Sequence, residues 1–313
     1  MSRKIVLSAI LATILMVGCK KFEGNVTVPS FLQIDSVAVV KASTGELGRS
    51  EGWYTSNIDA VQLTAYFDGD GSETDLGVFQ LPCKNIPVLR HGKMAYLRVT
   101  PVVKQNGIAA TRIAYPFLQT VQYTNLELRP EEVTGVGRKD AVSGKYVVEV
   151  SYYGSTQIAT KFFEDFELPE TEIRMGPTPS VVHWDSLDAD AACVGKGCGR
   201  VHSTRQDAKL DFEILDTINL PNPSSVVYLE MDYRTDVELH VGIRSRSGSS
   251  DREESYDVMT LYPCKRWNKI YINLGKLWSQ FNHYPHFHVF FYTLNTEEIE
   301  GDTYLDNVKV ISL

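Results

Sequence analysis

A few groups of side chains in this 313-residue chain have the types and spacing to do chemistry. Cys193 and Cys198 bracket Val194-Gly195-Lys196-Gly197, a loop flexible enough to close into a disulfide in an oxidising compartment. Half of a zinc site and two free thiols are the competing readings, although no second cysteine pair or spaced Cys/His pair completes a zinc cage. His283, His286 and His288 form the densest histidine group. In a strand His286 and His288 share a face, where they would hold a transition metal, answer to pH, or pack with one hydrogen bond each. Asp68-Gly69-Asp70-Gly71-Ser72-Glu73-Thr74-Asp75 is rich in oxygen ligands but lacks the spacing and terminal Glu of an EF-hand, so it reads as a hairpin tip. Trp53-Tyr54, Trp184, Trp278 and Tyr284 fall in loops or near strand ends. Their rings would stack on sugar faces, anchor a protein interface, or cap sandwich edges. Arg200, His202, Arg205, Arg244 and Arg246 add planar donor forks to the same half of the chain. No catalytic residue is assigned. A Gly-x-Ser-x-Gly elbow, Walker loops and dinucleotide loops are absent, and the cysteines have no base nearer than His202.

The elements that must carry these groups read as strands. Phe31 to Val40 is β-rich, and Val61 to Phe67 and Ala95 to Val99 alternate with period 2. Turn signals at 68–71, 90–92 and Asn106-Gly107 separate them. Several short strands at this spacing predict a β-sandwich over 31–129. Residues 130–144 have charge and glycine but no apolar period, and read as a linker. Long amphipathic strands follow, from Tyr146-Val147-Val148-Glu149-Val150 to Thr303 through Val310, with a helical turn within 275–281. Strong β character in the first and last of them predicts a jelly roll over 145–313, closed by its own termini.

The N-terminus has its own signature. Ser2-Arg3-Lys4 is positive, Ile5 to Val17 is apolar, and Gly18 precedes Cys19. The apolar run of about 13 residues is too short for a span of about 20. Leu15-Met16-Val17-Gly18-Cys19 resembles the bacterial lipoprotein signal, which implies removal of residues 1–18, acylation of Cys19, and a lipidated tether over 19–30. Acyl chains would then hold the protein on the outer membrane without crossing it. Lys20-Lys21-Phe22-Glu23 departs from the acidic cluster of surface-exported lipoproteins, so cell surface and periplasmic face both stay open.

Two further stretches resemble known families. Phe162-Phe163-Glu164-Asp165-Phe166-Glu167, Trp267 with Lys269-Ile270-Tyr271-Ile272-Asn273-Leu274, and Tyr304 through Val310 resemble the galactose-binding-like jelly rolls of carbohydrate-binding modules. Gly77 to Pro82, Asn106-Gly107-Ile108 and Thr111-Arg112 with Tyr115-Pro116-Phe117 resemble first domains of two-domain lipoproteins of the Bacteroidota, which implies an immunoglobulin-like sandwich. The jelly-roll resemblance implies a structural calcium where the first sheet strand meets the last, with Glu167 and Asp306 at the matching positions among Glu164, Asp165, Glu167 and Asp306. Exposed acids are the alternative reading, and no cofactor is required.

Charge narrows the partners. The full chain carries −8 including Arg3 and Lys4, so residues 19–313 carry −10. An acidic surface argues against nucleic acid, whose backbone is bound by Lys and Arg. No segment after Cys19 offers 18 consecutive apolar residues. The expectation is a non-enzymatic, lipid-anchored, all-β protein of the outer membrane. Its leading role is an accessory or scaffold subunit of an envelope complex built on an outer-membrane β-barrel for assembly, secretion or uptake. Its alternative role is glycan binding by the jelly roll, with Trp184, Trp278 and Tyr284 as candidate aromatics. The pairing of Cys83 and Cys264, which each follow a proline, is left open.

Overall fold

Alternation builds the strands as expected. In Ala60–Phe67 the side chains of Val61, Leu63, Ala65 and Phe67 are buried while their neighbours are partly exposed, so one face of the pleat meets a core. The computed structural model describes residues 28–42, 50–168, 173–175, 183–185, 192–219, 226–246, 253–278 and 286–313. These residues form an all-β protein of two sandwich units, and no helix among them is long and apolar enough to cross a membrane.

The first unit contains β1 (Ser30–Ile34), β2 (Ser36–Val39), β3 (Ala60–Phe67), β4 (Thr74–Gln80), β5 (Cys83–Val88), β6 (Gly92–Lys104), β7 (Arg112–Ala114), β8 (Val121–Leu128), β9 (Val133–Gly135), β10 (Arg138–Lys139) and β11 (Tyr146–Val150). A sheet of order β4-β3-β6-β7, with β8 also on β6, shares one core with two short sheets, β5-β1-β9 and β10-β11-β2. The expected linker at 130–144 is therefore corrected: β9 and β10 lie within it, and β11 pairs in parallel with β2 instead of opening the second unit. Val148, Val150, Tyr152 and Ile158 all belong to the first core. Backbone pairing needs no apolar period, so short polar strands carry no hydrophobic signature.

The second unit contains β12 (Ala159–Glu164), β13 (Ile173–Met175), β14 (His183–Asp185), β15 (Cys198–Ser203), β16 (Lys209–Ile214), β17 (Ile218–Asn219), β18 (Val227–Thr235), β19 (Glu238–Arg246), β20 (Glu253–Leu261), β21 (Cys264–Asn273), a helical turn Gly275–Trp278, β22 (His286–Leu294) and β23 (Gly301–Ser312). It is a jelly roll of two six-stranded sheets. One runs β14-β15-β23-β18-β21 with β12 also on β23; the other runs β13-β16-β22-β19-β20 with β17 also on β22. Closure by the chain's last strand holds, but its partner is β12, from Ala159–Ser312 to Glu164–Val308, and not the expected first strand at Tyr146–Val150, which belongs to the first unit. β23 contains a bulge: Asn307 has φ 50°, and the inward side chains step from Leu305 to Val308 before alternation resumes at Val310. β15 pairs with β23 below that bulge and β12 above it.

The outward side of the β23 sheet is half covered by the first unit. Tyr228, Tyr271 and Ile311 point away from the jelly-roll core and join the core of the first sandwich. The Asn106-Gly107 turn, with φ of 54° and 69°, reaches the edge strand β21: Asn106 N–H donates to Tyr271 O at 2.9 Å, and Asn273 N–H donates to Asn106 Oδ1 at 2.9 Å. Among the described residues, none from the β22 sheet joins the core of the first unit in this way.

Candidate functional site

Two polar constellations arise in the jelly roll, one under the first unit and one facing outward. The covered one centres on Glu230, whose carboxylate is 0% exposed and accepts hydrogen bonds from Tyr115 (2.6 Å), Tyr152 (2.9 Å) and Lys309 (3.1 Å). Lys309, also 0% exposed, donates to Trp53 O and to Tyr152 Oη, both at 2.7 Å. Beside it Asp232 accepts from Thr55 (2.6 Å), Asn307 Nδ2 (3.0 Å) and Lys269 (3.3 Å). Desolvation pushes the Lys309 ammonium down to about 7, against the pull of Glu230. Burial raises the phenols of Tyr115, Tyr152 and Tyr271 well above their usual range, so they remain donors. Glu230, Asp232, Lys269 and Lys309 are buried, and a cleft of about 190 Å³ lined by Asn57, Asp59, Lys104, Tyr233, Lys269 and Tyr271 opens beside them. The network fastens one unit to the other.

The outward constellation is set by strand register. On β22 Phe287, Val289 and Phe291 point into the core, so His288, Phe290 and Tyr292 take the opposite face. Asp211, Tyr292, His240 and Thr260 are successive cross-strand partners, and Glu213, Phe290, Gly242 and Asp257 form the next row. His240 stacks on Tyr292 with centroids 4.2 Å apart and planes at 7°. Lys209 Nζ lies 4.1 Å from the Tyr292 centroid, and Tyr292 Oη donates to Asp257 at 2.8 Å. Desolvation and that bond push the Tyr292 phenol up to about 12. Thr260 Oγ1 sits 3.0 Å from His240 Nδ1. Arg244 lies over Phe290 at 4.6 Å and donates to Glu213 at 2.9 Å. Gly242 makes this possible, because a Cβ there would strike the Phe290 ring. At the rim, Glu238 and Leu294 lead into a cleft of about 180 Å³ also lined by Asp236, Tyr262, Asn295 and Glu297. That is below the roughly 300–1,000 Å³ of pockets for larger ligands, and suits one sugar-sized group.

The expected site residues have different fates. Glu167 and Asp306 hold a loop: Asp306 Oδ2 accepts the N–H groups of Cys193 (2.9 Å) and Val194 (3.2 Å), and Glu167 Oε1 accepts those of Lys196 (2.8 Å) and Gly197 (3.2 Å). Amide donors thus engage the oxygens expected to ligate calcium, and among the described residues no three His, Cys, Asp or Glu side chains gather as a metal site. Desolvation raises Asp306 to about 8, with Asp232 adding to it, against the loop amides and the Asn307 N–H. Cys193 and Cys198 are free thiols, which corrects the expected disulfide. The two carboxylates fix the loop through its backbone, and Cys198 starts β15, paired with Asp185. Burial pushes the Cys193 thiol up to about 12, so it is a poor nucleophile. Cys83 and Cys264 are also free.

Cys19, His283 and Tyr284 lie outside the described residues. Trp184 is on β14 and Trp278 ends the helical turn, but their side chains, like that of His286, lie outside the described part. His288 packs with Nδ1 3.2 Å from Ile214 O and Nε2 3.4 Å from Thr217 Oγ1, as the packing alternative expects. The sequence reading missed Tyr292, Phe290 and His240, although the parity that put His286 and His288 on one face puts Phe290 and Tyr292 there too.

No family model matches the chain, and no curated protein matches it. Several solved structures of carbohydrate-binding modules are similar. A family 30 carbohydrate-binding module is 14% identical with a TM-score of 0.37, covering 49% of this chain and 86% of its own. The CBM22-2 xylan-binding domain from Paenibacillus barcinonensis is 12% identical with a TM-score of 0.36, covering 49% and 99%. TmCBM61 in complex with β-1,4-galactotriose is 13% identical with a TM-score of 0.32, covering 47% and 92%.

Proposed function

We propose that this is a non-catalytic glycan-binding protein, held at the outer membrane by a lipid on Cys19, with the outward face of the β22 sheet as its binding surface. The observation that carries the reading is the row of Tyr292, His240 and Lys209 on the outward side of the β22 sheet, beside an Arg244–Glu213 pair that lies over the buried Phe290 ring. A ring offers an apolar face to sugar C–H groups, while flanking carboxylates and guanidinium meet hydroxyls. Lys209 is 47% exposed and lies 3.3 Å from Asp211, so a sugar displacing it from Tyr292 leaves it paired. Asp211, Glu213, Glu238 and Asp257 outnumber Lys209 and Arg244, which favours a neutral glycan over an acidic one. The first sandwich, read as immunoglobulin-like, then spaces the jelly roll from the lipid. A β-barrel partner ranks second, because the exposed apolar residues Val78, Leu89, Ile108, Val133 and Val142 fall on separate strands and turns. Affinity electrophoresis of residues 20–313 through neutral polysaccharides tests the proposal. Retardation by at least one polymer, lost in Y292A, is expected; unretarded migration through all of them contradicts it.

A further inference from the structure

The half of the β23 sheet that the first unit leaves uncovered has the opposite electrostatic character. Arg200 and Arg234 are the cross-strand partners of Tyr304 on either side, from β15 and β18. Two strand spacings put their backbones about 10 Å apart. The Arg234 guanidinium lies 4.2 Å from the Tyr304 centroid and 5.6 Å from that of Trp267 on β21. The two rings meet edge to face, 6.5 Å apart at 65°. This guanidinium lies against two rings, and no carboxylate lies within ion-pair distance of it among the described residues. Arg200, by contrast, donates to Asp302 Oδ1 at 3.0 Å, and His202 Nδ1 lies 2.8 Å from the same oxygen. Lys265 and Arg266, both exposed, precede Trp267 on β21. Asp302, whose N–H donates to Asp236 at 3.0 Å, lies beside this row of cations, on a chain whose overall charge is negative.

We propose a second ligand site at Arg234, Tyr304, Trp267 and Arg200 that binds an anionic polysaccharide through its carboxylate or sulfate groups. The guanidinium of Arg234 supplies a planar fork already oriented for such an oxyanion, and charge-assisted bonds of that kind are the strong ones. Acid groups repeating along a polymer match cations arrayed across strands. The row runs across the sheet face from β15 through β23 and β18 to the edge strand β21, and its cations are side chains on that face, whereas peptide recognition by an added strand uses the edge backbone. The site stands apart from the face around Tyr292 and does not depend on that assignment.

The test titrates residues 20–313, by calorimetry at low and at raised salt, with polygalacturonate, its carboxyl-reduced neutral form, dextran sulfate and poly-glutamate. Binding of polygalacturonate or dextran sulfate is expected, and which of the two binds more tightly identifies carboxylate or sulfate as the group recognised. Raised salt weakens it, the carboxyl-reduced polymer loses this binding, and R234A weakens it roughly tenfold. R234K keeps the charge but loses the stacked fork, so it falls in between and keeps the test valid if R234A misfolds. Y292A leaves anionic binding unchanged, and R234A leaves neutral glycan binding unchanged, so each site can fail alone. The proposal is overturned if neither anionic polysaccharide binds, if R234A and R234K bind like the wild type, or if poly-glutamate binds as tightly as the polysaccharides, which would indicate an acidic protein partner.

Discussion

The two sheets of the jelly roll carry the same kinds of residue on their outward faces and use them differently. On the β23 sheet, Glu230, Asp232, Lys269 and Lys309 lie beneath the first unit and bond to one another and to Tyr115, Tyr152 and Thr55 of that unit, while Tyr271 accepts from the Asn57 N–H. On the β22 sheet, Lys209, Asp211 and Tyr292 face outward in looser, partly exposed contacts, beside the more buried His240 and the Arg244–Glu213 pair. Low surrounding dielectric makes the first set strongly coupled and intolerant of a missing partner; solvent makes the second set separable, and able to exchange a partner for a ligand. Coverage, not composition, turns aromatic and charged residues into a lock on one side and a receptive surface on the other.

Removing Glu230 is the severest way to break that contrast. E230A leaves Lys309 buried without its carboxylate, and a loss of about 3–5 kcal/mol is expected in urea unfolding. Replacing Tyr292 by alanine should change stability by about 1 kcal/mol or less, as at a surface position. Equal losses at the two positions would erase the distinction.

Asp306 sharpens the comparison through pH. Its pKa is about 8 in the folded chain and 3.8 as the ordinary value, so folding takes up a proton between about pH 4 and 8. Stability from this group is present at the acid end and is lost as pH rises through that window, by at most about 1.4 kcal/mol per pH unit. D306N should flatten the slope of urea midpoint against pH, whereas D257N on the outward face should leave it intact.

Free thiols give the smallest effect. C193S, at a half-buried position, should shift the free energy of unfolding by about 0.5 kcal/mol or less, since no bond is lost. Alkylation of the unfolded chain without reductant should label both cysteines; a linked peptide in place of the labelled ones would restore the disulfide.

Much of the fold was legible because strand alternation reports burial directly, as in Val61, Leu63, Ala65 and Phe67. The lock was not. In Tyr304-Leu305-Asp306-Asn307-Val308-Lys309-Val310, Asp306 read as a calcium ligand or an exposed acid, and alternation cannot tell water from a second sandwich on the side of Lys309. Glu230 and Asp232 were hidden in the same way within Val227–Thr235. The domain boundary was misplaced because β9 and β10 are held by backbone pairing across short polar segments. At the outward face, His288 drew attention as a titratable group while Phe290 and Tyr292, on the same strand face, were not singled out. Which side chains gather there depends on the registers of β16, β19 and β20 against β22, a property of four separate stretches that no single run contains.

Hydrogen exchange of residues 20–313, with and without a retained neutral polysaccharide, tests the central claim most directly. Slowed exchange across Glu238–Arg246 and His286–Leu294 around His240 and Tyr292, with the Glu230–Lys309 seam unchanged, is the predicted result. Protection confined to the first sandwich or to the seam, with those two strands unaffected, would contradict it.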